Sequence, residues 1–190
     1  AEKNIKAEIE NYKKALSMVD IKNINEKTEL LIKIGSLYFE AGDIQLAERT
    51  FNEAENLAKK SNNLKHLIKT YVYMAQIMDI QSKNEKINEY INKAEKLLED
   101  FEYLEAKLEI KRIKIMPLVN KNLFDEAAKI CIEIIEECGD DFIKIKGNTY
   151  RHLAYIYSYM NKLEDAISLY EESIKLCEII NYPRGILIAL

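Results

Sequence analysis

Residues 31–51, LIKIGSLYFEAGDIQLAERTF, set two glycines, a serine and an aspartate among apolar positions. These are the residue types of phosphate-cradling loops. Such a loop needs its glycines as G-x-G-x-x-G or as a P-loop that follows a strand. Gly35 and Gly42 fit neither pattern, and the apolar residues around them recur at helical spacing. A second candidate is the carboxylate pair Asp140-Asp141. It follows Cys138-Gly139 at the expected end of a helix, so the two Asp are expected to cap the next helix and complement its N-terminal dipole. Glu136-Glu137 and Glu171-Glu172 read as solvated helix faces. Cys131 and Cys138 stand where they can share one helical face, but the chain has no Cys-x-x-Cys, and His66 and His152 lie far apart. That pattern gives no zinc site. The expected role of Cys131, Cys138 and Cys177 is buried packing in a reducing compartment, hence a cytoplasmic location. No Ser/His/Asp or Cys/His arrangement is present to serve as a nucleophile and base, and no cofactor or metal is expected.

The bulk composition narrows the class. Of 190 residues, 48% are hydrophobic and 32% charged, enough apolar material for a continuous core in a soluble chain. Only 5 Gly and 2 Pro argue against a loop-rich or all-β fold. A formal charge of −4 gives no electrostatic reason to expect nucleic acid or an anionic membrane as partner. No apolar run reaches the length of a bilayer span, and the N-terminus carries no signal-peptide pattern. The bias toward Lys, Ile, Asn and Glu suggests an AT-rich bacterial source.

What must position any functional residues is a repeat. Leu31, Ile34, Gly35, Tyr38, Gly42, Ala47, Phe51 and Ala54 recur forty residues on as Tyr71, Met74, Ala75, Met78, Ser82, Ile87, Ile91 and Ala94. The next set is Lys111, Lys114, Ile115, Leu118, Asn122, Ala127, Cys131 and Ile134, and the last Tyr150, Leu153, Ala154, Tyr157, Asn161, Ala166, Tyr170 and Ser173. The columns make sense as two antiparallel helices per repeat. Small residues in the first helix (Gly35, Ala75, Ala154) let the second approach. The Gly42/Asn122/Asn161 column sits at the turn, where positive φ is tolerated. Small residues open the second helix (Ala47, Ala127, Ala166), and a bulky one four later (Phe51, Ile91, Tyr170) plugs the space toward the next repeat.

This pattern resembles the tetratricopeptide repeat, whose two-helix unit runs about 34 residues; here the helices are longer. The resemblance covers nearly the whole chain and is strongest at 28–60 and 147–180. It implies an all-α fold, a right-handed superhelical solenoid of antiparallel helix pairs. Residues 2–20 then form the second helix of a preceding repeat. Repeats follow at 28–67, 68–107, 108–146 and 147–186, with 187–190 starting a truncated one. A chain that begins and ends in mid-repeat, RGILIAL at its close, is expected to be a fragment of a longer protein, and its apolar ends could associate end to end. The repeat at 108–146 departs from the pattern. Lys111 and Lys114 fall in core columns and Pro117 inside a helix, so the first helix is either shifted by about one residue or kinked.

In the tetratricopeptide family the first helices line a concave groove. Its positions fall here on Glu29, Ile32, Ser36, Phe39 and Glu40, on Lys69, Val72, Gln76, Asp79 and Ile80, on Arg112, Met116 and Asn120, and on Asn148, Arg151, Tyr155, Ser158 and Tyr159. That mixture suits an extended peptide or a partner helix. Of four arginines, Arg112 and Arg151 share a column. They are candidates for an acidic group or C-terminal carboxylate of a partner; ordinary pairing with nearby Glu is the alternative. Phe39, Tyr155 and Tyr159 are either ligand contacts or packing between repeats.

The resulting functional expectation is a non-catalytic module that binds a protein or peptide and, through this segment, neither nucleic acid nor membrane. The alternative is a peptide-sensing regulatory domain of a bacterial transcription regulator or signalling protein, since the repeat length and the closing NYPRGILIAL resemble long-period repeats of such proteins. A helical enzyme would need catalytic clusters that the sequence does not display.

Overall fold

The computed structural model describes residues 2–180 and 182. Its helices run α1 (Glu2–Met18), α2 (Ile24–Ala41), α3 (Ile44–Ser61), α4 (Leu64–Ile80), α5 (Asn84–Leu98), α6 (Leu104–Ile113), α7 (Ile115–Val119), α8 (Phe124–Cys138), α9 (Ile143–Tyr159) and α10 (Leu163–Ile179). There is no strand among the described residues. The fold is all-α and built of antiparallel helix pairs of the tetratricopeptide type: α2 with α3, α4 with α5, α7 with α8, and α9 with α10. The chain divides after Ala106 into two compact units. In the first, α1 packs on α2 and α3 on α4; in the second, α8 packs on α9. The closing RGILIAL lies outside the described residues.

The turns show why the sequence repeats at this spacing. Gly42, Ser82, Asn122 and Asn161 all have left-handed backbones, with φ of 82°, 56°, 61° and 59°. The following amide in each reaches back five residues: Asp43 to Tyr38 O, Lys83 to Met78 O, Leu123 to Leu118 O and Lys162 to Tyr157 O, at 2.9–3.0 Å. The left-handed residue itself bonds three back, Gly42 to Phe39 O and Asn161 to Ser158 O among them. This is the Schellman closure of a helix C-terminus. It sends the chain straight into the second helix, and Asp43 caps α3 by accepting from the Leu46 amide.

The columns of small residues are contact points. A Cβ built on Gly35 would lie 2.9 Å from Cζ of Phe51, and Phe51 is fully buried, stacked on Tyr73 at 4.7 Å between ring centres. Ala47, Ala54, Ala75, Ala94, Ala127 and Ala154 are all fully buried. In the second unit Leu108, Ile115, Cys131, Ile134 and Ile156 form the centre of the core. Burial pushes the Cys131 thiol up to about 12 and the Cys138 thiol up to about 11, so these cysteines are packing groups and poor nucleophiles.

Two expectations resolve here. The divergent repeat is broken: α6 ends at Ile113, Lys114 is an exposed turn, and α7 begins at Ile115. Pro117 has no amide to give the Ile113 carbonyl, and its ring crowds that oxygen. Ile113 and Ile115, on either side of the break, are both buried, at 4% and 0% exposed. Asp140 and Asp141 do not cap α9. The N-cap is Phe142, with no side-chain bond. Lys146 instead turns back to the Gly139 carbonyl at the end of α8, at 2.8 Å, and approaches Asp140 at 3.8 Å.

Candidate functional site

The first helices of each pair carry the residues the repeat pattern assigns to a groove. On α2, Glu29 is exposed and pairs with Lys33 at 3.4 Å. Ser36 returns its hydroxyl proton to the Lys33 carbonyl. Phe39 is half-buried and meets Tyr73 edge-on at 6.1 Å, and Glu40 is half-buried beside it. Ile32 is 3% exposed and Val72 on α4 is 6% exposed, so both are core residues with no surface to offer a partner. Around Val72, Lys69 and Gln76 are half-buried, while Asp79 and Ile80 are exposed.

In the second unit the structure brings more together. Arg151, Tyr155 and Tyr159 stand on one stripe of α9 at successive turns. The Tyr155 hydroxyl donates to the Tyr159 oxygen at 3.1 Å, with ring centres 4.9 Å apart. Tyr159 also stacks on Phe124 of α8 at 5.6 Å, the two ring planes 21° apart. Tyr159 is nevertheless 60% exposed. A large aromatic surface is thus fixed by its neighbours and left open to solvent. Ser158 donates to the Tyr155 carbonyl at 2.6 Å and lies beside this step. Asn148 is half-buried one turn before Arg151. Met116 packs against the core of the unit, as do Tyr155 and Phe124, and Asn120 is exposed.

The two arginines differ. Arg112 is paired with Glu109 one turn earlier, at 2.7 Å. Arg151 reaches no carboxylate among the described residues in this way. Its Nη2 lies 3.2 Å from Nε2 of His152. Because arginine only donates, Nε2 must be the acceptor and Nδ1 carries the imidazole proton. Neither Nδ1 of His152 nor Nε of Arg151 has a hydrogen-bond partner among the described residues. Burial, and then the charges of Arg112 and Arg151, hold His152 well below the ordinary histidine range. Burial and the charge of Arg112 also lower Arg151.

Sequence reasoning missed Phe124 and the role of His152. Phe124 opens a second helix, in a column whose other members are Ile44, Asn84 and Leu163; nothing in that column's composition says that it touches the end of the following first helix. His152 was visible only as an isolated histidine, because its partner is the residue before it. No group of His, Cys, Asp or Glu that could hold a metal ion occurs among the described residues. No helix among them is long and apolar enough to cross a membrane.

Comparison with known proteins adds a family and a fold. Residues 1–146 match the family described as 26S proteasome subunit RPN7. No curated protein matches the chain. Among solved structures, the chain is similar to BtubC of P. vanneervenii, with 12% identity, a TM-score of 0.62, and coverage of 94% of this chain and 75% of that one. It is also similar to a signal transduction ATPase with a tetratricopeptide repeat sensor from Pyrococcus horikoshii. There the identity is 20% and the TM-score 0.65, over 94% of this chain but 26% of that one. A third is a kinesin light chain of Podosopora anserina with nearly identical TPR-like repeats, at 11% identity and a TM-score of 0.54, covering 95% and 91% of the two chains. At these identities the likeness is one of fold.

Proposed function

The chain belongs to the family of the 26S proteasome subunit RPN7, and on that premise we propose that it is a non-catalytic scaffold that holds a protein or peptide partner on the first helices of its repeats. The observation that carries this reading is the aromatic step of Tyr155, Tyr159 and Phe124. Its rings are fixed by stacking and by a hydroxyl–hydroxyl hydrogen bond, yet Tyr159 is 60% exposed. Aromatic surface that is already immobilised contributes contact area at small entropic cost, which is why Tyr is frequent at interface hot spots. The polar groups around it, Asn120, Asn148 and Ser158, are of the kind that fix the register of a bound chain. In the first unit Phe39, Gln76, Asp79 and Ile80 supply the corresponding surface.

The reading is tested by selecting peptides from a random displayed library against the whole chain and repeating the selection with Tyr159→Ala. Truncation of a hot-spot tyrosine costs about 2 kcal/mol or more, about thirtyfold in affinity, so the wild-type peptides should be lost from the variant. Failure to enrich any peptide, or peptides that bind Tyr159→Ala unchanged, would refute it.

A further inference from the structure

The aromatic step of α8 and α9 carries hydrogen-bond donors as well as ring faces. Tyr155 and Tyr159 share one hydrogen bond between their hydroxyls. One phenolic O–H is spent on it, and the other, on the exposed Tyr159, is left over. Asn120 ends α7 at the turn that leads into Phe124 and is exposed. Asn148 is half-buried on α9, two turns before Tyr155. Neither amide side chain makes a hydrogen bond among the described residues. The rings of the step all come from α8 and α9, since Tyr159 rests on Phe124 of the helix before its own.

The site's own positions offer no available charge. Arg112 is held by Glu109 at 2.7 Å, and Nε of Arg151 is buried. The charged residues next along the chain, Lys121, Asp125, Glu126 and Lys162, are two of each sign. An acidic or a basic segment therefore finds no net attraction here. A partner helix pairs its backbone carbonyls within itself except in its last turn, so it has few to give the Tyr159 hydroxyl and the two amides. A partner strand needs an open sheet edge, and there is no strand among the described residues. Polyproline II differs from both. Its backbone has no internal hydrogen bonds, so its carbonyls are free to accept, and its proline rings pack on aromatic faces. From Asn148 to Tyr159 the stripe on α9 runs about 16 Å at 1.5 Å per residue, which about five residues of polyproline II match at 3.1 Å each.

We infer that the segment held on α8 and α9 is a neutral, proline-rich stretch of a partner protein in the polyproline II conformation. Its proline rings pack on Tyr155, Tyr159 and Phe124, and its carbonyls accept from the Tyr159 hydroxyl and from the amides of Asn120 and Asn148. This rests on the scaffold reading above and names the class of partner for the same site. Ordering costs little on either side: stacking already immobilises the rings, and a proline-rich segment is extended before it binds.

The test is the composition of the peptides that a random displayed library yields against the whole chain and that Tyr159→Ala loses. Those peptides should be enriched in proline over the unselected library and enriched in neither acidic nor basic residues. In titrations with one of them, Tyr159→Phe keeps the ring and removes only the hydroxyl. It should weaken binding by about two- to tenfold, the worth of one hydrogen bond, and Asn120→Ala should do the same. Exchanging the peptide's prolines for alanine, one at a time, should weaken binding as well. Tyr159-dependent peptides without proline enrichment, whether amphipathic or charged, would leave the scaffold reading standing and overturn this inference. A Tyr159→Phe chain that binds as tightly as the wild type would overturn it too. Proline-rich peptides that bind Tyr159→Ala unchanged, or a selection that enriches no peptide, would overturn both readings.

Discussion

Replacing Gly35 by alanine pits two effects of opposite sign against each other. Gly35 lies inside α2, where alanine is favoured over glycine by about 0.8–1.0 kcal/mol. The added Cβ would meet the Phe51 ring at 2.9 Å, 3.0 Å and 3.1 Å from three of its carbons. A flexible side chain could swing away; Phe51 cannot, being fully buried and stacked on Tyr73. Overpacking of this kind costs about 1–3 kcal/mol, and with both neighbours fixed the upper half of that range applies. The net is a loss of about 1–2 kcal/mol, a fall in thermal midpoint of about 2–8 °C for a chain of this size. Gly147→Ala is the control. There the nearest atoms are Leu176 Cβ at 3.4 Å and Cys177 Sγ at 3.5 Å, ordinary contacts, so the helix propensity is kept and the variant should gain about 0.5–1 kcal/mol. Urea titrations followed by circular dichroism at 222 nm measure both. A smaller ring-site residue should relieve the clash, so Gly35→Ala should cost less in a Phe51→Leu background than in the wild type. A Gly35→Ala chain more stable than wild type, or additivity with Phe51→Leu, would refute the packing argument.

Three further outcomes follow from the same structure. Ser82 holds a left-handed backbone at φ 56° where its counterparts are glycine or asparagine; Ser82→Gly should raise the urea midpoint by the equivalent of about 0.5–1 kcal/mol, with an unchanged m-value. His152 and His66 are both held below the ordinary histidine range, by burial first in each case. The unfolded chain therefore binds protons that the folded chain refuses, and stability should fall as the pH drops below about 6.5, by up to about 1.4 kcal/mol per unit for each histidine. His152→Gln should remove the share of that slope due to His152 between about pH 5 and 6.5; an unchanged slope would show that His152 is protonated in the fold. The buried thiols of Cys131, Cys138 and Cys177 should react with a disulfide reagent at pH 8 only as the chain unfolds, so a rapid reaction in the native state would contradict their placement.

The turns and the helix seams were legible in the sequence because they depend on residues close along the chain. Gly42, Ser82, Asn122 and Asn161 mark positions where a left-handed backbone is required. Gly35 with Phe51, and Ala127 with Cys131, mark where two helices must approach. The groove was less legible, because exposure depends on what the next repeat covers. Ile32 and Val72 share a column with Arg112 and Arg151, and only the structure shows that the first two are core residues while Arg112 is paired with Glu109. The break at Lys114 was half visible in Pro117; its position follows from a clash three to four residues upstream. Asp140 and Asp141 misled because an acid caps a helix only from the N-cap position itself, and here that position is Phe142, one residue further on.

The central claim is that α9 presents a preformed aromatic surface to a partner. The chain has no tryptophan, so a selected peptide carrying one can be titrated with the whole chain by its own fluorescence. The account predicts saturable binding that Tyr155→Ala and Tyr159→Ala each weaken by about tenfold or more, with helix content by circular dichroism unchanged. Binding of equal strength to the wild type and to both variants would contradict it.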